Sequence, residues 1–194
     1  MPFVFAPLNL VKGEGQYPEF QDVLKSVQDA GIARAKTLWS GFSQGGLTPG
    51  DKEFGIIPMR ANEMANDVTS TTLSGTYSFR KSYTAGAWRP IFNFTTREDT
   101  IHALAGFAFA DDVLRFSQIR WEIGDKKYPI IDLQLAQTFG SFALLLKEDA
   151  GKEIIIEQEQ SVLLRGYCET TGPQRIVPIG FMLYKRKDLV ITET

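Results

Sequence analysis

The chain has 194 residues, 43% of them hydrophobic and 23% charged, with a formal net charge of -2. That is enough chain for one large domain with a proper core, and no global field is left to gather nucleic acid. A single cysteine, Cys168, excludes an internal disulfide, and a single histidine, His102, argues against zinc or redox-metal sites built from clusters of those ligands.

The first segment, MPFVFAPLNLVKGEG, is apolar but lacks the basic start and small-residue cleavage site of a signal peptide. Pro2 and Pro7 disfavour a helix, so it reads as extended. Pro18 and Glu19 then suit a first helical turn, where proline needs no donor and a carboxylate favours the positive end of the dipole. Phe20, Val23, Leu24, Val27, Ala30, Ala35 and Leu38 form an apolar stripe at helical period. Gln21, Asp22, Lys25, Gln28, Asp29 and Lys36 fall largely on the other side. Gly31 weakens the middle by ~1 kcal/mol relative to alanine.

From Gly41 to Gly55 the chain carries five glycines and a proline. This long connection sets the expected boundary: an arm, helix and connector over 1–52, then a β domain over 53–194. Strands are expected at Phe54 to Pro58, in the threonine-rich run near 69–78, at Trp88 to Phe94 and at His102 to Phe109. IRWEI alternates, with Ile119, Trp121 and Ile123 on one face and Arg120 and Glu122 on the other. GDKK reads as a four-residue turn, with Tyr128 to Leu133 returning. FALLLK, EIIIE, SVLLRGYC, RIVPIGFMLY and Leu189 to Thr192 follow at short, regular spacing. The pattern lacks crossover helices and predicts a mainly β fold, an antiparallel sandwich or barrel of about eight to ten strands, with an N-terminal amphipathic helix.

Chemistry-bearing residues are few. Nucleophilic hydrolysis needs a base beside its nucleophile, usually histidine. Here every such scheme passes through His102, whose neighbours read as strand core, so a satisfied structural histidine is expected. Cys168 reads as a reduced, half-buried strand residue with no adjoining base. Asp111 with Asp112, and Glu148 with Asp149, are the loops that could offer calcium its oxygen ligands, but solvated turn carboxylates fit them better. Glu122, Asp132, Glu153, Glu157 and Glu159 could supply a glycosidase pair only if two faced each other across a cleft. Tyr77 to Arg89 interleaves aromatics with Arg80, Lys81 and Arg89, a pattern that can hold single strands; an ordinary strand pair explains it better. No catalytic, cofactor-binding or metal-binding residue is therefore assigned, and no cofactor is expected.

From about Leu114 to Thr192 the chain resembles the jelly-roll and related β-sandwich modules of viral capsid, spike and tail proteins. The residues that carry the resemblance are FSQIRWEIGDKKYPI, FALLLKEDAGKEIIIE and SVLLRGYCETTGPQRIVPIGFMLYKR. Strands in such modules end in acidic and glycine-rich turns, and a late strand brings a glycine-phenylalanine pair, here Gly180-Phe181. The resemblance implies a single jelly roll and a non-catalytic structural protein of a virion, cytoplasmic before assembly, whose partners are copies of itself and other virion proteins. No direct nucleic-acid binding is expected, and no run of the roughly 18–20 apolar residues a spanning helix needs is present.

A helix must cover its apolar stripe with something, so Phe20, Leu24, Val27 and Leu38 are candidate interface contacts, on the chain's own sandwich or on a neighbour. The competing reading is a carbohydrate- or receptor-binding sandwich. Such sites use exposed aromatic faces, and Trp88, beside Gly86 and Pro90, is the candidate platform.

Overall fold

The computed structural model describes residues 3–7, 18–39, 54–61, 72–73, 78–146 and 153–185. Its elements are β1 (Phe3–Pro7), α1 (Pro18–Leu38), β2 (Phe54–Pro58), β3 (Thr72–Leu73), β4 (Phe79–Tyr83), β5 (Ala87–Thr95), β6 (Thr100–Phe109) and β7 (Phe116–Ile123). They continue through β8 (Lys126–Lys127), β9 (Ile131–Asp132), a 3-10 helix (Gln134–Phe139), β10 (Phe142–Leu146), β11 (Ile154–Ile156), β12 (Ser161–Cys168) and β13 (Gly172–Lys185). The Gly41–Gly55 connector falls almost wholly outside the described residues, as do Glu148, Asp149 and the expected last strand at Leu189 to Thr192.

Two antiparallel sheets form the sandwich, and the chain passes between them in jelly-roll order. The larger sheet runs β1-β10-β6-β13-β4-β3, with β11 also on β6 and β2 also on β13. The smaller runs β5-β12-β7-β8, with β9 beside β8 along β7. The eight-strand jelly roll is thus β4, β13, β6 and β10/β11 facing β5, β12, β7 and β8/β9. β10 and β11 act as one interrupted strand, pairing with successive halves of β6. β1 pairs with the far edge of β10, so the first described residues extend the sheet.

Aromatic side chains fill the space between the sheets. Phe107 of the larger sheet lies 4.6 Å from Trp121 and 5.5 Å from Phe92, both on the smaller one. Phe109 stacks on Phe142 at 5.1 Å, and Tyr83 meets Phe116 edge-on at 4.8 Å. The alternation in IRWEI holds: Ile119, Trp121 and Ile123 are buried, while Arg120 and Glu122 turn outward.

β6 departs from alternation. His102 and Leu104 point into the sandwich and so do Phe107 and Phe109, which puts an odd step between them. The pairing explains it. Ile179 of β13 faces Gly106 and Gly180 faces Leu104, leaving Ala105 as an extra residue. A bulge of this kind reverses which face the following residues occupy. Gly106 takes φ 157°, and a Cβ there would stand 2.0 Å from the Leu144 carbonyl oxygen.

The outer face of the larger sheet carries α1. Ile101, Ala103 and Ala105 of β6, with Leu183 of β13 and Phe54 of β2, receive Val23, Val27, Ile32, Ala35 and Trp39. This is why β6 is buried along its whole length. Trp39 closes the far end by stacking on Phe54 at 6.0 Å. Two polar contacts fix the helix lengthwise: Ser26 Oγ donates to Glu153 Oε1 at 2.7 Å, and Arg34 Nε donates to Glu157 Oε1 at 2.8 Å. Eight helical residues rise about 12 Å and four strand residues about 13 Å. α1 therefore runs alongside β11 in the same direction.

The stripe read from the sequence was partly out of phase. Gly31, Ile32 and Trp39 belong to the covered face, whereas Leu38 is 37% exposed. Gly31 also has a role that helix propensity conceals, because the helix lies so near β6 there that a Cβ would crowd Ala103.

Candidate ligand-binding face

The outer face of the smaller sheet has no helix over it among the described residues, and alternation decides what it displays. On β7, Gln118, Arg120 and Glu122 face out; on β12, Leu163, Arg165 and Tyr167 do so. On β5 a register shift opposite Leu164/Arg165 lets Ile91 and Phe92 both go inward and sets Pro90 and Trp88 outward.

Register then assembles the rows. Tyr167 stands between Trp88 and Gln118, and Arg165 stands between Pro90 and Arg120. Trp88 and Tyr167 meet edge-to-face at 5.9 Å. The Arg120 side chain reaches across β12 until its guanidinium carbon is 5.6 Å from the Trp88 ring centroid, a cation–π distance. Trp88 and Tyr167 are each half-buried, so part of each ring remains open to solvent.

Two guanidiniums share one carboxylate here. Arg120 Nη2 donates to Glu122 Oε1 at 2.9 Å, and Arg165 Nε stands 4.0 Å from that same oxygen. The Arg165 Nε has no hydrogen-bond partner among the described residues, and the side chain is 43% exposed. Like charges directly opposite on neighbouring strands repel, and Glu122 offsets only one of the two.

The other candidate residues lie elsewhere. His102 sits at the inner face of β6, edge-on to Phe94 at 5.6 Å and 2% exposed. It is structural but not satisfied: neither ring nitrogen has a hydrogen-bond partner among the described residues. Burial, helped by the positive Arg97, lowers its pKa to about 4, so the ring is neutral at physiological pH. Cys168 is fully rather than half buried. Its thiol pKa is raised by burial, with the hydrogen bond to the Thr170 backbone first, then Arg89 and Arg115, pulling partly the other way.

Asp111 braces the sandwich end, accepting from the Arg175 amide and, at 3.4 Å, from the side-chain amide of the fully buried Gln174. No group of three or more metal-ligating side chains occurs among the described residues. The strand carboxylates are dispersed: Glu122 and Asp132 lie on the smaller sheet, Glu153 and Glu157 hold α1, and Glu159 occupies an exposed turn. A groove of about 180 Å³ beside the first half of α1 is lined by Glu19, Asp22, Ser26 and Glu153 together with Val23 and Leu146.

Of the helix residues singled out from sequence, Val27 and Leu24 pack on the chain's own sheet, Phe20 is half-buried and Leu38 is exposed. Tyr167 and Arg165 escaped the sequence reading. Their outward phase was legible in SVLLRGYC, but their placement beside Trp88 and Arg120 depends on a pairing that one strand's letters do not contain.

No helix among the described residues is long and apolar enough to cross a membrane. Neither a protein-family model nor a curated protein sequence matches the chain.

Proposed function

We propose that the chain is a non-catalytic structural protein of a virus particle, a jelly-roll subunit that assembles with copies of itself or with other virion proteins. The strand order supports this reading best. An eight-strand jelly roll, widened at one edge by β1 and sealed on one outer face by α1, presents its loops and remaining sheet face to neighbours. Jelly rolls serve viral capsids and lectins alike. The test is the mass of the purified protein across a concentration and salt series, by light scattering after size exclusion, with negative-stain images of any large fraction. Rings, capsomers or shells are expected; a strict monomer under every condition overturns self-assembly.

A specific observation favours a second reading, a carbohydrate- or receptor-binding sandwich. Trp88 is partly open and stands beside a second aromatic, Tyr167, with Arg120 at its ring. Half-exposed aromatic pairs flanked by polar groups offer an amphipathic platform to sugar rings. Glycan-array binding lost in Trp88→Ala would support it, and an unchanged array profile would count against it.

A further inference from the structure

We propose that the Trp88–Tyr167–Arg120–Arg165 cluster on the smaller sheet is a binding site for an acidic sugar, a pyranose that carries a carboxylate. The proposal rests on the glycan reading above and specifies its ligand.

The aromatic row and the arginine row are adjacent, separated by one two-residue step along β12, about 7 Å. That spacing matches one sugar ring. A pyranose lying on the open part of one ring, with the other ring standing at its edge, places a ring carboxylate over Arg165 and Arg120. The Arg165 Nε has no hydrogen-bond partner among the described residues and stands 4.0 Å from Glu122 Oε1, so the Arg120–Arg165 pair has one carboxylate between two guanidiniums. A ligand carboxylate supplies the second and relieves the cross-strand repulsion. Guanidinium forks bind carboxylates bidentately, and such charge-assisted bonds are the strong ones.

Two other occupants fit less well. A nucleic-acid strand brings a phosphate at every nucleotide and needs a track of positive charge. This face offers two arginines and Lys127, interrupted by Glu122 and with Asp132 beyond Gln118, a short cluster of mixed sign rather than a track, in a chain of net charge -2. A second copy docked about a two-fold axis through the cluster would set guanidinium against guanidinium, since such an interface pairs a patch with itself.

The probes are sialyllactose, an oligogalacturonate and neutral lactose, measured against the full chain by saturation-transfer NMR and calorimetry. At least one acidic sugar is expected to bind about tenfold or more tightly than lactose, with affinity falling as salt rises. Arg165→Gln should lower that affinity about tenfold without lowering the thermal midpoint, since it also relieves the repulsion from Arg120, and Trp88→Ala should weaken acidic and neutral sugars together. Lactose binding as tightly as both acidic sugars overturns the acidic assignment but leaves the glycan reading standing. No binding by any of the three overturns both. Acidic-sugar binding indifferent to Arg165→Gln places the site elsewhere and overturns the assignment to this face.

Discussion

A Cβ built on Gly31 of α1 would stand 2.9 Å from the Cβ of Ala103 on β6, and 3.1 Å from a methyl of Leu183. Side chains do not tolerate the first distance, so the helix rests on the sheet at the one helical residue without a side chain. Opposite it, β6 presents Ala103 and Ala105, which keep the sheet surface low.

Gly31→Ala separates two opposing effects. Helix propensity favours alanine by about 1 kcal/mol. Overpacking at a tight contact costs roughly 1–3 kcal/mol, and Ala103, being on a central strand, cannot yield without moving β6. The expected sum is destabilisation of up to about 2 kcal/mol, read from urea unfolding. Combining it with Ala103→Gly should recover part of the loss despite glycine's cost in a strand. A Gly31→Ala protein more stable than the wild type would show that the helix does not sit this close.

What sequence could and could not supply follows from such contacts. Strands such as β12 and β7 were legible because each buries one face of an antiparallel pair, which writes a period of two into the letters. α1 is legible as a helix, and Val23, Leu24, Val27 and Ala35 of its stripe do cover the sheet, but Leu38 does not and Ile32 and Trp39 do. Gly31 counts as a weakness in any propensity scale and as a contact point only once β6 lies beneath it. On β6 the Ala105 bulge resets the alternation, and the one local mark of it in HALAGFAF is Gly106, an isolated glycine within a strand. The Trp88 cluster draws one residue or two from each of three strands, so only register could assemble it.

His102 gives stability a dependence on acid. Its pKa is lowered from 6.5 to about 4 in the folded chain, by burial first and Arg97 second. Below pH 6.5 the unfolded chain therefore takes up a proton that the folded chain refuses. The stability associated with the neutral ring is present above pH 6.5 and is lost as pH falls toward 4. The shift corresponds to roughly 3 kcal/mol. The check is the difference between wild type and His102→Leu in unfolding free energy from pH 7 to pH 4, which cancels the carboxylates common to both. The wild type should lose more, by an amount of that order; parallel curves would mean that the ring reaches a partner or solvent.

The ion pair that holds α1 lengthwise contributes little by itself. Arg34 Nη2 lies 2.6 Å from Glu157 Oε1, but the two side chains are 38% and 34% exposed. Half-exposed pairs of this kind measure below about 1 kcal/mol. A double-mutant cycle with Arg34→Ala and Glu157→Ala should give a coupling under that value, smaller still at high salt. Val27→Ala, which opens space at a buried side chain between helix and sheet, should cost more than either single change. A coupling well above 1 kcal/mol would mean that charge rather than packing docks the helix.

The hairpin after Trp121 turns in two residues, not the four that GDKK suggested. Ile123 pairs with Lys126 and Glu122 with Lys127, so only Gly124 and Asp125 form the loop. Gly124 takes φ 55°, while Asp125 keeps a negative φ, the combination in which a two-residue hairpin loop needs glycine first. A Cβ at Gly124 would touch nothing within 4 Å, so a substitution there reports backbone strain alone. Gly124→Ala should destabilise by about 1–2 kcal/mol, and Gly124→Asn by less, because asparagine tolerates the left-handed region. Thermal unfolding of the two variants distinguishes this from a loop that relaxes freely, for which both would match the wild type. The strands on either side carry Arg120 and Glu122 on β7 and Lys127 on β8, so slippage here would also disturb the arginine row. Gly124→Ala should therefore weaken acidic-sugar binding more than a substitution at the exposed Thr95, which lies across Ser161 from it on the edge strand β5.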